Sequence, residues 1–315
     1  MQKRPHEMSV TPSPLNPYKC RTLFVSDLHM GSYRFDADLF TRFLASYDPD
    51  TIYLVGDIID GWKLRKRWHW PLSYVRSTSY LLSLAQQGKN IFYIMGNHDD
   101  RLRLLPPVIN KRLKDKYGFQ LLNKRVHTTE DGRKLLVIHG DQFDWKILHG
   151  RLSKWSDNIF DFITTRMLST VSPRVRVKGK YTKFSLSKAI RKSGTHALYL
   201  LKNFEKAVLK RIEKDKVNGL ICGHTHVPVQ KELAEDKLYI NTGSWMADTP
   251  TALIEHEDGR FELIFCNPQA YMQNANNQSI ADIPFSSENM EKAKRLEEWV
   301  KHLWDKKFKI APLAA

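Results

Sequence analysis

Cysteine is scarce. Cys20, Cys222 and Cys266 stand far apart in a chain of 315 residues. No CxxC spacing and no even framework occurs, which excludes a disulfide scaffold and fits a reducing compartment. No run reaches 18 apolar residues, so no membrane-spanning helix is expected. The opening MQKRPHEMSVTPSPLNPYK lacks an apolar h-region, so no signal peptide is expected either. Its Pro and Ser content reads as a disordered lead over 1–19. These absences together predict a cytoplasmic protein. Negative charge is also short, with 34 Asp+Glu against 50 Lys+Arg, a net +16. That balance implies an anionic partner: nucleic acid, an anionic membrane surface or a phosphorylated substrate. The excess is uneven, since residues 151–216 hold 17 Lys/Arg against five Asp/Glu, a net +12. The length allows one large domain or two, with room for a core.

What is present is a rhythm. Residues 21–26 (RTLFVS) read as a buried strand. Residues 36–47 (DADLFTRFLASY) carry apolar residues at helical spacing, with Asp36 or Asp38 near the start. TIYLVGD is a second strand, 74–87 a second helix closed by Gly88, and NIFYIMGNHD a third strand. KLLVIHGD, GLICGHTH, KLYINTGS and TALIEHEDGRFELIF supply the remaining β content. Alternating strands and helices predict an α/β fold. Residues 145–215 break the rhythm: two basic amphipathic helical stretches flank a basic linker, which reads as an insertion over the site. Residues 286–309 predict another amphipathic helix, with Trp299, Leu303 and Trp304 on one face packed against the core.

Each apolar strand ends in a small polar cluster: SDLH, GDIID, GNHD, HGD, GHTH. One such cluster alone reads equally well as a strand end turning into a polar loop. Five would converge, because ligands of open α/β sheets bind outside the carboxyl ends of the strands. Side chains two apart on a strand point the same way, so Asp27 and His29 should project together. The collected side chains are Asp27, His29, Asp57, Asn97, His139, His224 and His226. Seven N/O donors with no Cys suit a pair of first-row divalent ions, Mn foremost and Fe or Zn as alternatives. One carboxylate between the ions should bridge. Two such ions clamp the attacking and leaving oxygens of a phosphoryl displacement and supply hydroxide at neutral pH. Glycines before Asp57, Asn97 and His224 are expected to permit tight turns.

The ordered blocks DLH, GDxxD, GNHD, HGD and GHTH, over residues 27–226, resemble the calcineurin-like metallophosphoesterase superfamily. The resemblance implies a four-layer α/β/β/α metallophosphoesterase sandwich with a dinuclear site at one sheet edge. It assigns Asp27, His29, Asp57 and His226 to one metal. It assigns Asp57, Asn97, His139 and His224 to the other, with Asp57 as the bridge. His98 would then reach the phosphate, as charge stabiliser or proton donor, and Asp99 would orient His98. Asp60 and Asp141 read as residues supporting the ligands or shaping loops. His69, His127, His149, His196 and His256 are read as ordinary polar or surface histidines. The expected division is a core over 20–144 and 216–270, a helical cap over 145–215, and a linker plus helix over 271–315.

The longer strings RTLFVSDLHMGS, TIYLVGDIIDGWKLR, IMGNHDD and VIHGDQFD, with the basic insertion before GLICGHTHVP, look like the UDP-2,3-diacylglucosamine diphosphatases of lipid A synthesis. The resemblance covers roughly residues 20–265. It implies cleavage of a pyrophosphate to UMP and a lipid phosphate, with the insertion capping the acyl chains. Phe160, Phe162, Ile163, Met167, Leu168, Leu198, Leu200 and Leu201 are then candidate lipid contacts, or the insertion's own core. Trp62, Arg65, Arg67, Lys178 and Lys183 are candidate contacts for uridine or diphosphate. The stretch after Trp62 reads equally as an exposed basic loop. One position departs, since the lipid A enzymes carry Arg after the metal-binding Asn and this chain carries His98. A nuclease or nucleotide phosphoesterase therefore stands as the alternative. Its charge, however, lies in an apolar-rich insertion rather than a nucleic-acid module, which disfavours nucleic acid. A metal-binding scaffold without activity is the third reading. The expected setting is an anionic membrane surface, bound peripherally.

Overall fold

The computed structural model describes residues 12–143, 202–273 and 283–305. Lys178, Lys183 and the apolar candidates of the insertion lie outside the described residues. Among the described residues, eleven strands form two mixed sheets. The first has the order β11-β10-β1-β2-β3-β4, from Phe261–Phe265, Thr251–Glu255, Tyr18–Val25, Tyr47–Val55, Asn90–Ile94 and Phe119–Leu122. The second has the order β5-β6-β7-β9-β8, from Arg125–Thr128, Lys134–Val137, Gly219–Cys222, Lys237–Asn241 and Val229–Ala234. Strands β1 to β4 run parallel, as do β6, β7 and β9. Strands β10 and β11 in the first sheet and β5 and β8 in the second pair antiparallel.

The apolar strands are buried on both faces, and alternate residues feed different cores. Leu23 and Val25 join the cluster under the helices, while Phe24 between them joins the cluster between the sheets. Ile52 and Leu54 divide from Tyr53 and Val55 in the same way. In the second sheet Leu135 and Val137 face the first sheet, while Leu136 faces outward. Truncating one such residue to Ala costs about 2–5 kcal/mol.

Helices α1 (Ala37–Ala45) and α3 (Leu72–Gln86) cover the first sheet. Asp36 caps α1, its carboxylate accepting from Leu39 N at 2.9 Å. The short α2 (Gly61–Lys66) lies between them in sequence, and α4 (Pro107–Tyr117) follows β3. Helix α5, described over 202–215, buries Phe204, Val208 and Ile212 against the second sheet. That is the fourth layer. Residues 202–215 belong to the sandwich because their apolar face is spent on it. After the short α6 (Pro268–Gln273), α7 (Ser287–Trp304) packs on the first-sheet side. It buries Leu296, Val300, Leu303 and Trp304, while Trp299 stays half-buried. The helix α4 and strands β4, β5 and β8 have no counterpart in the sequence reading. They are short or polar-rich, and α4 buries only Ile109, Leu113 and Tyr117.

Candidate metal centre

The polar clusters sit beyond the carboxyl ends of β1, β2 and β3 in one sheet and β6 and β7 in the other. Asp27 and His29 are past the end of β1, not on it. The alternation of a strand therefore does not aim them. Instead Asp27, His29, Asp57, His224 and His226 adopt left-handed backbone, with φ of 54°, 51°, 54°, 69° and 56°. Among the described non-glycine residues, Lys216 and Asp236 alone share that region. Each such residue costs of order 1–3 kcal/mol, and such strain clusters where function demands a particular aim. Gly56 has φ 80°, and a Cβ there would enter the His139 ring. Gly96 and Gly223 have ordinary φ. They provide room for the Asp57 and Asp27 carboxylates rather than an unusual turn.

Three groups of donors form among the described residues, and one of them is His29, Asp60 and His98. Asp27, His29 and His226 bring one atom each within 4.8 Å of one another, and so do Asp57, His139 and His224. Asp57 joins them, with Oδ2 lying 3.8 Å from His29 Nε2 and 3.3 Å from His139 Nε2. His226 Nε2 is 3.0 Å from Asp27 Oδ1, yet Asp27 Oδ1 has no hydrogen-bond partner. Neither do His29 Nε2, His139 Nε2 or Asn97 Oδ1, all buried atoms. Buried polar atoms are normally satisfied, so this concentration of orphans at one point fits residues that hold a cation. The remaining atoms are fixed from behind. Asp27 Oδ2 accepts from His224 N at 3.1 Å, and Asp57 Oδ1 from His98 N at 2.9 Å. The His139 Nδ1–H donates to Val55 O at 3.0 Å, which leaves Nε2 as the electron-pair donor.

His98 stands beside the donors, its Nε2 3.9 Å from Asp57 Oδ2. Its Nδ1 donates to Asp60 Oδ1 at 3.1 Å, since a carboxylate only accepts. The expected partner Asp99 is elsewhere. Its carboxylate accepts the backbone N–H groups of Asp57, Gly96 and Ile59 at 3.0, 3.1 and 3.1 Å, so it fixes the two loops instead. Asp60 also lies 3.5 Å from His29 Nδ1 and caps α2 by accepting from Lys63 N. Asp141 pairs with Arg103 at 2.9 Å. Trp62 lays its ring over His98, centroids 4.0 Å apart at 31°. Arg65 and Arg67 are exposed, and the Arg67 guanidinium is 5.9 Å from the Tyr33 ring centre.

Burial raises the Asp57 carboxyl, but the imidazoles of His139 and His98 outweigh it and hold it well below the carboxylate range. Burial lowers His98, but Asp57 and Asp60 outweigh it and push its pKa up to about 9. Burial and the Asp57 charge push Asp99 up to about 7.

The sequence reading left NTGSW without a role. Asn241 Nδ2 donates to Gly223 O at 2.6 Å and Thr225 Oγ1 at 3.0 Å, and Ser244 Oγ donates to Asp27 O at 3.3 Å. The stretch thus braces two donor loops. It had the same signature as the others, an apolar run ending in small polar residues.

The sequence profile of calcineurin-like phosphoesterases matches residues 20–228, and the chain belongs to that family. It is a metal-dependent phosphoesterase. Among curated relatives, the UDP-2,3-diacylglucosamine hydrolase of Aliivibrio fischeri is 24% identical over 257 residues, 76% of this chain and 96% of its own. The hydrolase of the same name from Escherichia coli is 24% identical over 249 residues, 75% and 96%. Among solved structures, Vacuolar Protein Sorting 29 from Cryptosporidium parvum is 14% identical with a TM-score of 0.37, over 78% of this chain and 95% of its own. Among the described residues, no helix is long and apolar enough to cross a membrane.

Proposed function

We propose that the chain hydrolyses the pyrophosphate of UDP-2,3-diacylglucosamine, or a similar UDP-sugar lipid, to UMP and a lipid phosphate. The observation that carries the reaction type is the pair of donor groups joined by Asp57, with orphaned buried atoms pointing between them. The relatives' name and the 96% of their length that is matched support the substrate. Asp27, His29, Asp57 and His226 would hold one divalent ion, and Asp57, Asn97, His139 and His224 the other, Mn foremost with Fe or Zn as alternatives. When bound, such a pair supplies an activated water and neutralises phosphoryl charge.

The chain's own residues do the rest. Asp60 holds the Nδ1 proton of His98 and so fixes which nitrogen faces the substrate. With its pKa pushed up to about 9, His98 carries both ring protons near neutrality, and its Nε2–H donates to a phosphoryl oxygen. As the attacking water bonds to phosphorus and gives up a proton to solvent, the bridging P–O bond breaks and the Nε2 proton goes to the leaving oxygen. Trp62 covers one face of the imidazole, shielding it from water and holding the ring plane. Lys178, Lys183, Arg65 and Arg67 remain proposed contacts for the diphosphate, and an anionic membrane the proposed setting.

One observation favours a second reading. His98 occupies the position where the lipid A enzymes carry Arg, so a different phosphodiester or nucleotide substrate would keep the same chemistry. The test is UMP release from UDP-diacylglucosamine in mild detergent with Mn²⁺, with Asp57→Ala as control and an aryl phosphodiester and a nucleic acid alongside. UMP release lost in the variant supports the lipid substrate. Cleavage of the aryl diester without UMP release moves the chain to the second reading.

A further inference from the structure

The family match stops at residue 228, and α7 lies well beyond it. Yet the carboxyl end of α7 touches both flanks of His98. Trp304 is 2% exposed and lies against Gly61, so closely that a Cβ on Gly61 would fall on the indole ring. Gly61 N donates to His98 O at 3.2 Å, and the preceding residue, Asp60, receives the His98 Nδ1 proton. On the other flank, three residues after His98, Arg101 donates to Leu303 O at 2.6 Å and Asp305 O at 3.0 Å. Those carbonyls belong to the last turn and cap of the helix. The same helix is anchored at its start, where Ser286 caps it and Asn289 donates to Gln86 Oε1 of α3 at 2.7 Å. One buried indole and one arginine therefore connect a well-anchored helix to the backbone on each side of the imidazole.

We infer that the end of α7 positions His98, with Trp304, Gly61 and Arg101 as positioning residues for the reaction proposed above. The inference rests on that reading for the role of His98, though not for the contact itself. Shifting the Asp60–Gly61 turn by a fraction of an ångström would move the Asp60 carboxylate and misalign His98 Nε2.

The test uses the full chain. Gly61→Ala should lower kcat on an aryl phosphodiester by about 10- to 100-fold, the scale of a misplaced catalytic group, with KM within about twofold and bound metal unchanged. Replacing Trp304 by Leu in the same chain should restore at least half of that loss on a logarithmic scale. In a His98→Ala background Gly61→Ala should change kcat less than about twofold, since coupled residues are not additive. Arg101→Gln, which leaves the core packing alone, should show the same dependence on His98 if Gly61→Ala does not fold. An equal drop in both backgrounds, or a drop matched by lost metal, overturns the inference. If the wild-type chain cleaves no ester, the functional reading fails and the contact is read directly. In zinc-loaded protein, Trp304→Leu should move the His98 side-chain NMR signals, assigned through His98→Ala, and leave those of His256 in place. Unmoved His98 signals overturn the inference.

Discussion

Two clusters of imidazole and carboxylate are buried between the same two sheets, and they are built in opposite ways. Toward the amino ends of the parallel strands, Glu255 is enclosed and complete. Its Oε1 accepts from the guanidinium of Arg21 at 2.8 Å and the backbone of Glu130 at 3.1 Å, and its Oε2 accepts from Thr22 Oγ1 at 2.8 Å and His127 Nε2 at 2.7 Å. At the carboxyl ends, Asp27, His29, Asn97 and His139 each keep a buried atom without a partner. The first is a clasp between β1, β5 and β10. The second is a set of donors fitted to a cation. The residue types are the same, so what separates structure from chemistry is whether every buried atom is satisfied. Backbone repeats the contrast. The donor loops use left-handed Asp and His, while Glu255, His127, Thr22 and Arg21 sit in regular strands.

The largest way to break the comparison is Asp57→Ala. It removes the carboxylate common to both donor groups, and phosphodiesterase activity should fall about 10³-fold or more, the scale of several kcal/mol of lost charge stabilisation. Isothermal titration with Mn²⁺ should show the loss of binding directly. Retained activity above a tenth of wild type would remove Asp57 from the centre of the site. At the other cluster, Glu255→Ala should cost stability rather than rate. Removing one partner of a buried ion pair costs about 3–5 kcal/mol, read from urea unfolding, while kcat and Mn²⁺ affinity of the folded fraction stay within about twofold.

Metal itself sharpens the contrast. A ligand at 100 times its Kd stabilises the folded state by about 2.7 kcal/mol. Mn²⁺ added to the chelator-treated chain should therefore raise the urea midpoint of the wild type and of Glu255→Ala by the same increment. Asp57→Ala should show little of it. An equal rise in all three would place the bound ion somewhere other than these donors.

The sequence showed the open cluster and hid the closed one, for a physical reason. Asp27, Asp57, Asn97, His139 and His224 each terminate an apolar run, so their positions are written in the order of residues. The inward aim of Asp27 and His29 was read from strand alternation, and the structure derives it from left-handed loops instead. Asp60 was read only as supporting the ligands or shaping a loop, because nothing local shows that its carboxylate rather than that of Asp99 meets His98 Nδ1. His127 and His256 were read as ordinary histidines. His127 closes the clasp, and His256 links Tyr18 OH and Glu262 Oε2 at 2.9 Å each. Their partners lie 128 and 238 residues away for the pairs with Glu255 and Tyr18, distances that only the register of the sheets brings together. The longer strands are legible as apolar runs, whereas their division into two sheets follows only from the family resemblance. The end of the insertion is not legible, because 202–215 looks amphipathic whether it covers a ligand or a sheet.

The smallest effect concerns acid. Burial raises the Glu255 carboxyl, but the hydrogen bond and charge of His127, the Thr22 hydroxyl and the Arg21 guanidinium outweigh it, and its pKa lies below the ordinary glutamate value. A depressed carboxylate binds fewer protons folded than unfolded. Its stabilisation is therefore complete above the unfolded glutamate pKa, near 4.3, and is lost as pH falls through the lower folded value. The other groups facing the clasp, Glu130 through its backbone and Tyr53 beside His127, are unchanged by Glu255→Gln. The donor loops contribute their own acid sensitivity, but equally in both chains when a chelator is present. The stability gap between wild type and Glu255→Gln should thus be constant near neutrality and narrow as urea melts are taken below about pH 4.5. A gap that holds constant down to the acid limit would mean that Glu255 enters the clasp without its charge, and the two clusters would then differ in ionisation as well as in closure.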